Sequence, residues 1–300
     1  MFASGVLIIR TNKIKVGRKP CRLKGENMER IALYNDSFQN WKTHDIQKAQ
    51  LILTDIPYQL GVNAYGSNPH WYNGGDKDNG KSEYAYKEFF DTDSKAGFRI
   101  PEFFHFCSNL LKKEPKEKGQ AGCMILFCAF EQQFELIENA KKYGFNHFIN
   151  MIFYKSYSAQ VLKANMRVVG NCEYALLFYR DKLPKFRNEG NMVFNCQPWV
   201  DDGKMIPKIH PTQKPVALLE RLIRTFTDVD DVVIDCCAGS GTTLLASANL
   251  NRRAYGFELK REYVKGFYEK LLPLKSVDMF AQAEMEDKAE ERRQRMLEFS

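Results

Sequence analysis

Two stretches of this 300-residue chain bring together residue types that chemistry needs. The first is Asp55-Ile56-Pro57-Tyr58, which follows the apolar run Leu51–Thr54. Such a run reads as a strand, and open α/β sheets bind ligands beyond the carboxyl ends of their strands. The Asp55 carboxylate and the Ile56 backbone carbonyl could each accept one hydrogen of a conjugated amino group. That would draw the nitrogen toward sp3 and aim its lone pair at an electrophile, a task for which such an amine is otherwise a poor nucleophile. Pro57 stiffens the turn, and Tyr58 offers a ring face on which a base can stack. The same tetrapeptide equally suits a buried strand end that simply turns.

The second stretch is Asp235-Cys236-Cys237-Ala238-Gly239-Ser240-Gly241-Thr242-Thr243, between the apolar run Val232–Ile234 and a helical pattern reaching about Leu250. Gly239 and Gly241 allow close approach of backbone to a ligand, and a helix N-terminus offers free N–H groups to a carboxylate. The next apolar run, Ala254–Phe257, delivers Glu258, an acid placed to bind two ribose hydroxyls. The loop lacks the third glycine of a dinucleotide fingerprint. A single nucleoside with a carboxylate tail fits better, and S-adenosylmethionine is such a molecule. An ordinary βα turn with packing glycines is the plainer alternative.

The elements that must position these stretches alternate between short apolar runs and helical patterns, as in βαβ architecture. Strands are expected at Ile31–Tyr34, Leu51–Thr54, Met124–Cys128, Asn150–Tyr154, Tyr174–Tyr179, Val232–Ile234 and Ala254–Phe257. Helices are expected at 100–113, 131–143, Lys214–Phe226 with Pro215 in its first turn, after Gly241, and at 261–271. Residues 59–82 are rich in Gly, Asn and aromatics and read as a long loop, a length usual for functional segments. Residues 181–209 are irregular and basic.

Composition narrows the class. Hydrophobic residues make up 44% of the chain, enough for a core. No apolar run approaches the roughly 18 residues of a membrane span. The eight cysteines include no CxxC pair, so reduced thiols and a cytoplasmic setting are expected, with no metal. The net charge of +7 suits a polyanionic partner. Residues 1–27 carry seven Lys/Arg against Glu26 alone; they read either as a phosphate-touching arm or as an extension ahead of a start at Met28.

The motifs together resemble those of the β group of amino-methylating DNA methyltransferases, which act on adenine N6 or cytosine N4. Asp-Ile-Pro-Tyr is similar to that family's Asp-Pro-Pro-Tyr, and Asp235–Thr243 to its Asp-Pro-Phe-x-Gly-Ser-Gly-Thr-Thr loop. His210-Pro211-Thr212-Gln213-Lys214-Pro215 matches its His-Pro-Thr-Gln-Lys-Pro segment residue for residue. Two departures stand out: Ile56 replaces a proline, and Cys236-Cys237 replaces Pro-Phe. The resemblance covers about Ile31 to Tyr268. It implies a Rossmann-like, mostly parallel α/β sheet of seven strands with one antiparallel strand. The order is circularly permuted: the chain begins at the third strand and supplies the first two at its end.

It further implies a methyltransferase domain at 28–275 with target recognition at 156–209; the residues themselves suggest a mobile region at 59–100 and a charged helical tail at 276–300. S-adenosylmethionine would lie among Asp36, Asp55, Thr212, Gln213, Lys214, Asp235, Ala238, Gly239, Ser240, Gly241, Thr242, Thr243 and Glu258. A base inside a duplex must be flipped out for this chemistry. Lys155, Lys163, Arg167, Arg180, Lys182, Lys185 and Arg187 are expected to touch double-stranded DNA. Asp rather than Ser at position 55 favours adenine N6. The recognition segment is short, so a homodimer would help cover the site. A separate restriction endonuclease or a phage origin also fits.

Overall fold

The computed structural model describes residues 30–57, 97–156, 160–163, 168–188, 190–203, 205–210, 212–276 and 294. The expectations placed on residues 1–27, Tyr58, the 59–82 loop, Arg167, the Lys163 side chain and nearly all of the tail lie outside the described residues.

In chain order the elements are β1 (Ile31–Tyr34), β2 (Leu51–Asp55), α1 (Ile100–Leu110), β3 (Cys123–Cys128) and α2 (Gln132–Lys142). Next come β4 (His147–Tyr154), β5 (Gln160–Lys163), β6 (Val168–Gly170), β7 (Cys172–Tyr179) and β8 (Cys196–Pro198). The chain continues with α3 (Val216–Phe226), β9 (Val232–Asp235), α4 (Thr242–Asn249), β10 (Arg253–Phe257) and α5 (Arg261–Gly266). The central sheet runs β1-β10-β9-β2-β3-β7-β4-β8, and β5 and β6 form a separate two-stranded ribbon. The antiparallel member is β7, which opposes both β3 and β4. The strands β9 and β10, late in the chain, are thus inserted between β1 and β2, its first two.

All seven expected strands are present. The sheet has eight, because β8 pairs in parallel with the end of β4 over Ile152–Tyr154. Its three residues, Cys196-Gln197-Pro198, show no apolar alternation and are not buried, so neighbour pairing alone makes them a strand.

The period-two geometry of strands explains the two cores. In β2, Leu51 and Leu53 face one layer and Ile52 the other; in β3, Ile125 and Phe127 face the first and Met124 and Leu126 the second. The first layer is filled by α3 and α4 through Leu218, Leu222, Leu244 and Leu245. The second is filled by α1 and α2 through Phe103, Phe104, Phe106 and Leu136. Helices on both faces permit the wholly apolar strands of a mostly parallel sheet.

Helix α3 begins two residues later than the sequence suggests: Pro215 precedes it in extended conformation. Its first free N–H groups are capped across the chain by Asp202, which accepts from Val216 N at 2.7 Å and Ala217 N at 2.9 Å. Among the described residues, no helix is long and apolar enough to cross a membrane.

Candidate functional site

The helix that follows β2 lies on one face of the sheet and the helix that follows β9 on the other. Since β2 and β9 are neighbours, their carboxyl ends flank the crevice that such a reversal opens. Asp55 ends β2 and Asp235 ends β9. The two motifs, 180 residues apart in sequence, therefore share one edge of the sheet.

A residue not singled out from the sequence joins them. Thr54, buried beside Asp55, donates from Oγ1 to Asp235 Oδ1 at 2.7 Å and accepts from Cys237 N at 3.2 Å. Its signal was a hydroxyl inside an otherwise apolar strand. Asp235 also accepts from Cys237 N at 3.1 Å and from the Thr243 side chain. Burial raises the Asp235 carboxyl to about 6 despite these donors. Its carboxylate is 3% exposed and braces the loop from below. Asp235, expected beside the cofactor, thus turns its carboxylate to Thr54, Cys237 and Thr243.

The loop itself has the backbone its glycines allow. Gly239 and Gly241 take φ of +52° and +81°, which ordinary side chains rarely adopt. A Cβ on Gly241 would stand 2.5 Å from the Phe267 ring, so this glycine also serves close packing. Ala238, Ser240, Thr242 and Thr243 are buried around the turn, with Thr242 and Thr243 opening α4.

Glu258 follows β10 and reaches back to this loop. Its Oε2 accepts from Gly239 N at 2.9 Å and its Oε1 from Lys260 N at 2.7 Å. Burial raises the carboxyl to about 7, against the lowering effect of those two N–H groups. Each carboxylate oxygen retains a second lone pair, so the group can hold two vicinal hydroxyls.

Asp36 lies past the end of β1. Burial alone would raise its carboxyl; hydrogen bonds from Asn40 and His44 and the Ser37 N–H hold it below the ordinary value. Asp36 Oδ2 lies 3.0 Å from His44 Nε2. A solvent-open cleft of about 510 Å3 is lined by Asn35, Asp36, Asn40, Glu102 and Leu259, next to Glu258 in the chain.

At the turn after β2, Ile56 N donates to Phe127 O at 3.2 Å, and Gln132 Nε2 donates to Pro57 O at 2.9 Å. Gln132 also accepts from Ala129 N at 3.0 Å, so one buried amide fixes Pro57 to the end of β3. The Ile56 side chain is 1% exposed and packs in the core shared with α1. The bulk that replaces proline thus points into the protein. Asp55 Oδ2 pairs with Lys214 Nζ at 2.6 Å.

The segment before α3 is held by its own contacts. Gln213 accepts from Ile209 N at 3.1 Å and donates to Pro207 O at 3.1 Å. His210 packs edge-on against Tyr263 and accepts at Nδ1 from Thr212 N. Burial, then Lys260, Lys214 and Lys208, lower its imidazole to about 4, so it is neutral near pH 7. Gly239 faces its ring.

Most of the described DNA-contact candidates lie elsewhere. Because β7 runs antiparallel, residues 180–187 emerge at the amino-end edge of the parallel strands, opposite Asp55. Arg180 donates to Lys112 O and Ser108 O and sits on the Phe145 ring. Lys182 donates to Pro115 O at 2.5 Å. Lys185 pairs with Asp228 and Asp231, and Arg187 with Asp228. Lys155 is on the same edge as Asp55 but 9% exposed, paired with Glu173 at 2.6 Å. Each of these five side chains has a hydrogen-bond or ion-pair partner within the protein.

The model of the N6/N4 DNA methylase family matches residues 49–269. The chain belongs to this DNA methylase family. It is similar to the type II methyltransferase M2.DpnII of Streptococcus pneumoniae, 36% identical over 101 residues, which is 32% of this chain and 36% of that protein. It is also similar to the DNA adenine methyltransferase YhdJ of Escherichia coli, 29% identical over 138 residues, 45% of this chain and 42% of that protein. The chain spans less than half the length of each of these relatives. Among solved structures, the M1.HpyAVI complex with S-adenosylmethionine matches 80% of this chain and 98% of its own at 21% identity and TM-score 0.56. The cytosine-N4-specific PvuII DNA methyltransferase matches 85% and 90% at 18% identity and TM-score 0.58. The fold is that of class I methyltransferases.

Proposed function

We propose that this protein transfers a methyl group from S-adenosylmethionine to the exocyclic amino group of a flipped-out DNA base, adenine N6 in preference to cytosine N4. The carrying observation is the placement of Asp55 and the Gly239–Gly241 loop on neighbouring strand ends, tied by the Thr54–Asp235 hydrogen bond of 2.7 Å. The residues fit the cofactor: Glu258 has lone pairs for the ribose hydroxyls, the glycine turn opens the way to the N-terminus of α4, and the cleft at Asp36 would take the adenine. When bound, S-adenosylmethionine supplies an electrophilic methyl on a sulfonium. Asp55 and the Ile56 carbonyl accept the two amino hydrogens and orient the nitrogen lone pair.

The family match and the similarity to YhdJ support DNA as substrate and adenine as target. The similarity to the cytosine-N4-specific PvuII enzyme reports the fold and keeps N4 methylation as the second reading. A module that binds S-adenosylmethionine or DNA without catalysis is a third; the built carboxylate at Asp55 speaks against it. The test is transfer of labelled methyl to unmethylated mixed-sequence duplex DNA, with digestion to nucleosides and mass spectrometry. N6-methyladenine is the expected product, and Asp55→Ala should abolish it while cofactor binding is weakened, not lost. N4-methylcytosine alone would overturn the target; no transfer to any DNA would overturn the activity. Partners follow from the same reading: double-stranded DNA, with a second subunit covering the target and a separate endonuclease completing a restriction pair.

A further inference from the structure

Four charged side chains from four segments meet at the catalytic edge. Asp55 ends β2; Lys214 stands just before α3; Glu173 lies near the start of β7; Lys155 follows β4. Lys214 Nζ is 2.6 Å from Asp55 Oδ2 and 3.6 Å from Glu173 Oε2. Lys155 Nζ is 2.6 Å from the other Glu173 oxygen, Oε1. Each lysine is 9% exposed. Each also lies over an aromatic face, Lys214 at 5.2 Å from Phe127 and Lys155 at 4.4 Å from Trp199. Charges screened this little from one another interact well beyond direct contact.

We propose that Glu173 and Lys155 are positioning residues that set the protonation of Asp55 through Lys214. The inference rests on the function proposed above. Asp55 faces a second carboxylate, Asp235 at the end of β9, and the Cys128 thiol at the end of β3, each of whose ionisation its charge disfavours. A neighbouring negative charge favours the protonated form of a carboxylate, and a protonated Asp55 offers less acceptor capacity to the base's amino hydrogens. Lys214 offsets this, yet it has two carboxylates to choose from. Lys155 neutralises Glu173, so Lys214 stays closer to Asp55 by the 2.6 Å against 3.6 Å observed. The alternating order gives opposite signs to the two outer residues. Removing Lys155 leaves Glu173 to draw Lys214 away, so Asp55 holds its proton to higher pH. Removing the Glu173 charge ends its competition for Lys214 and takes a negative charge from the cluster, so Asp55 ionises at lower pH.

The test uses the full chain, labelled S-adenosylmethionine and unmethylated mixed-sequence duplex DNA, with single-turnover rates measured from pH 5 to 9. Lys155→Met should move the acid limb of the rate profile up by about one pH unit, and Glu173→Gln should move it down by a comparable amount. The double variant should return to within a fraction of a unit of wild type, and Lys155→Arg, which keeps the charge, should stay near it. A residue of merely structural importance would lower the rate at every pH and leave the limb in place. Limbs that stay fixed, or that move in the same direction in both single variants of an enzyme whose wild type is active, would overturn the inference alone. A wild type that methylates no DNA would overturn the proposed function and this inference with it.

Discussion

Replacing Glu258 by Gln should flatten the pH dependence of stability and weaken the cofactor. Burial raises this carboxyl from 4.5 to about 7 in the folded protein. Its folded value exceeds its unfolded one, so the native state binds the proton more tightly. Its contribution to stability is therefore full below about pH 4.5 and is lost as pH rises through about 7. The shift of roughly 2.5 units corresponds to about 3 kcal/mol at 1.36 kcal/mol per unit. Glutamine cannot ionise, so the variant should escape that loss. It also surrenders an acceptor for one of the two N–H groups at Gly239 and Lys260, which costs about 1–2 kcal/mol at every pH. At pH 8 the ligand-free variant should thus equal or slightly exceed wild type, and at pH 4.5 it should fall below it. Thermal melts of both proteins across this range give the difference directly. Calorimetry with S-adenosylmethionine should show affinity lower by about 1–3 kcal/mol in the variant, and wild-type affinity that improves with pH up to about 7 as the carboxylate ionises. Parallel stability profiles for the two proteins would refute the burial argument; equal cofactor affinity would show that Glu258 is structural.

Thr54→Val should cost about 2–3 kcal/mol, because it removes a donor from the buried Asp235 and one of the two acceptors of Cys237 N–H; denaturant melts at pH 5 and 8 should show the larger loss at the higher pH. Gly241→Ala, which must hold φ of +81° and clears the Phe267 ring by too little, should destabilise the fold by about 3 kcal/mol, measured the same way. Arg180→Met and Lys185→Met should lower the melting temperature yet leave the slope of log DNA affinity against log salt unchanged, since both cations brace the edge opposite Asp55. A shallower slope in either would return that residue to the DNA side.

What sequence reading reached and what it missed follow from the range of the interactions involved. The strands at Ile31, Leu51 and Val232 are apolar runs that announce themselves locally, and Gly239 and Gly241 mark a turn that few other residues can make. Strand β8 escaped because three residues with no apolar alternation become a strand only through the partner beside them. Asp202 escaped as a cap because it lies 14 residues before the helix N–H it accepts from, well outside the local window in which capping residues are sought.

The basic residues carry the sharper lesson. Lysine and arginine declare their charge in any sequence, but not whether an acid already faces them. Between Lys155 and Arg187 the chain looks like a cationic strip, and the direction of one strand divides it. Running against its neighbours, β7 brings Glu173 to the edge of Asp55 beside Lys155 and Lys214, and sends Arg180, Lys182, Lys185 and Arg187 to the opposite edge. No local pattern in Cys172–Tyr179 states that direction; it is set by the pairing with β3 and β4. The electrostatics of the site are thus a consequence of topology. A charge count suits this chain to a polyanion, but only the strand order tells which cations lie at the edge of Asp55 and which at the edge opposite.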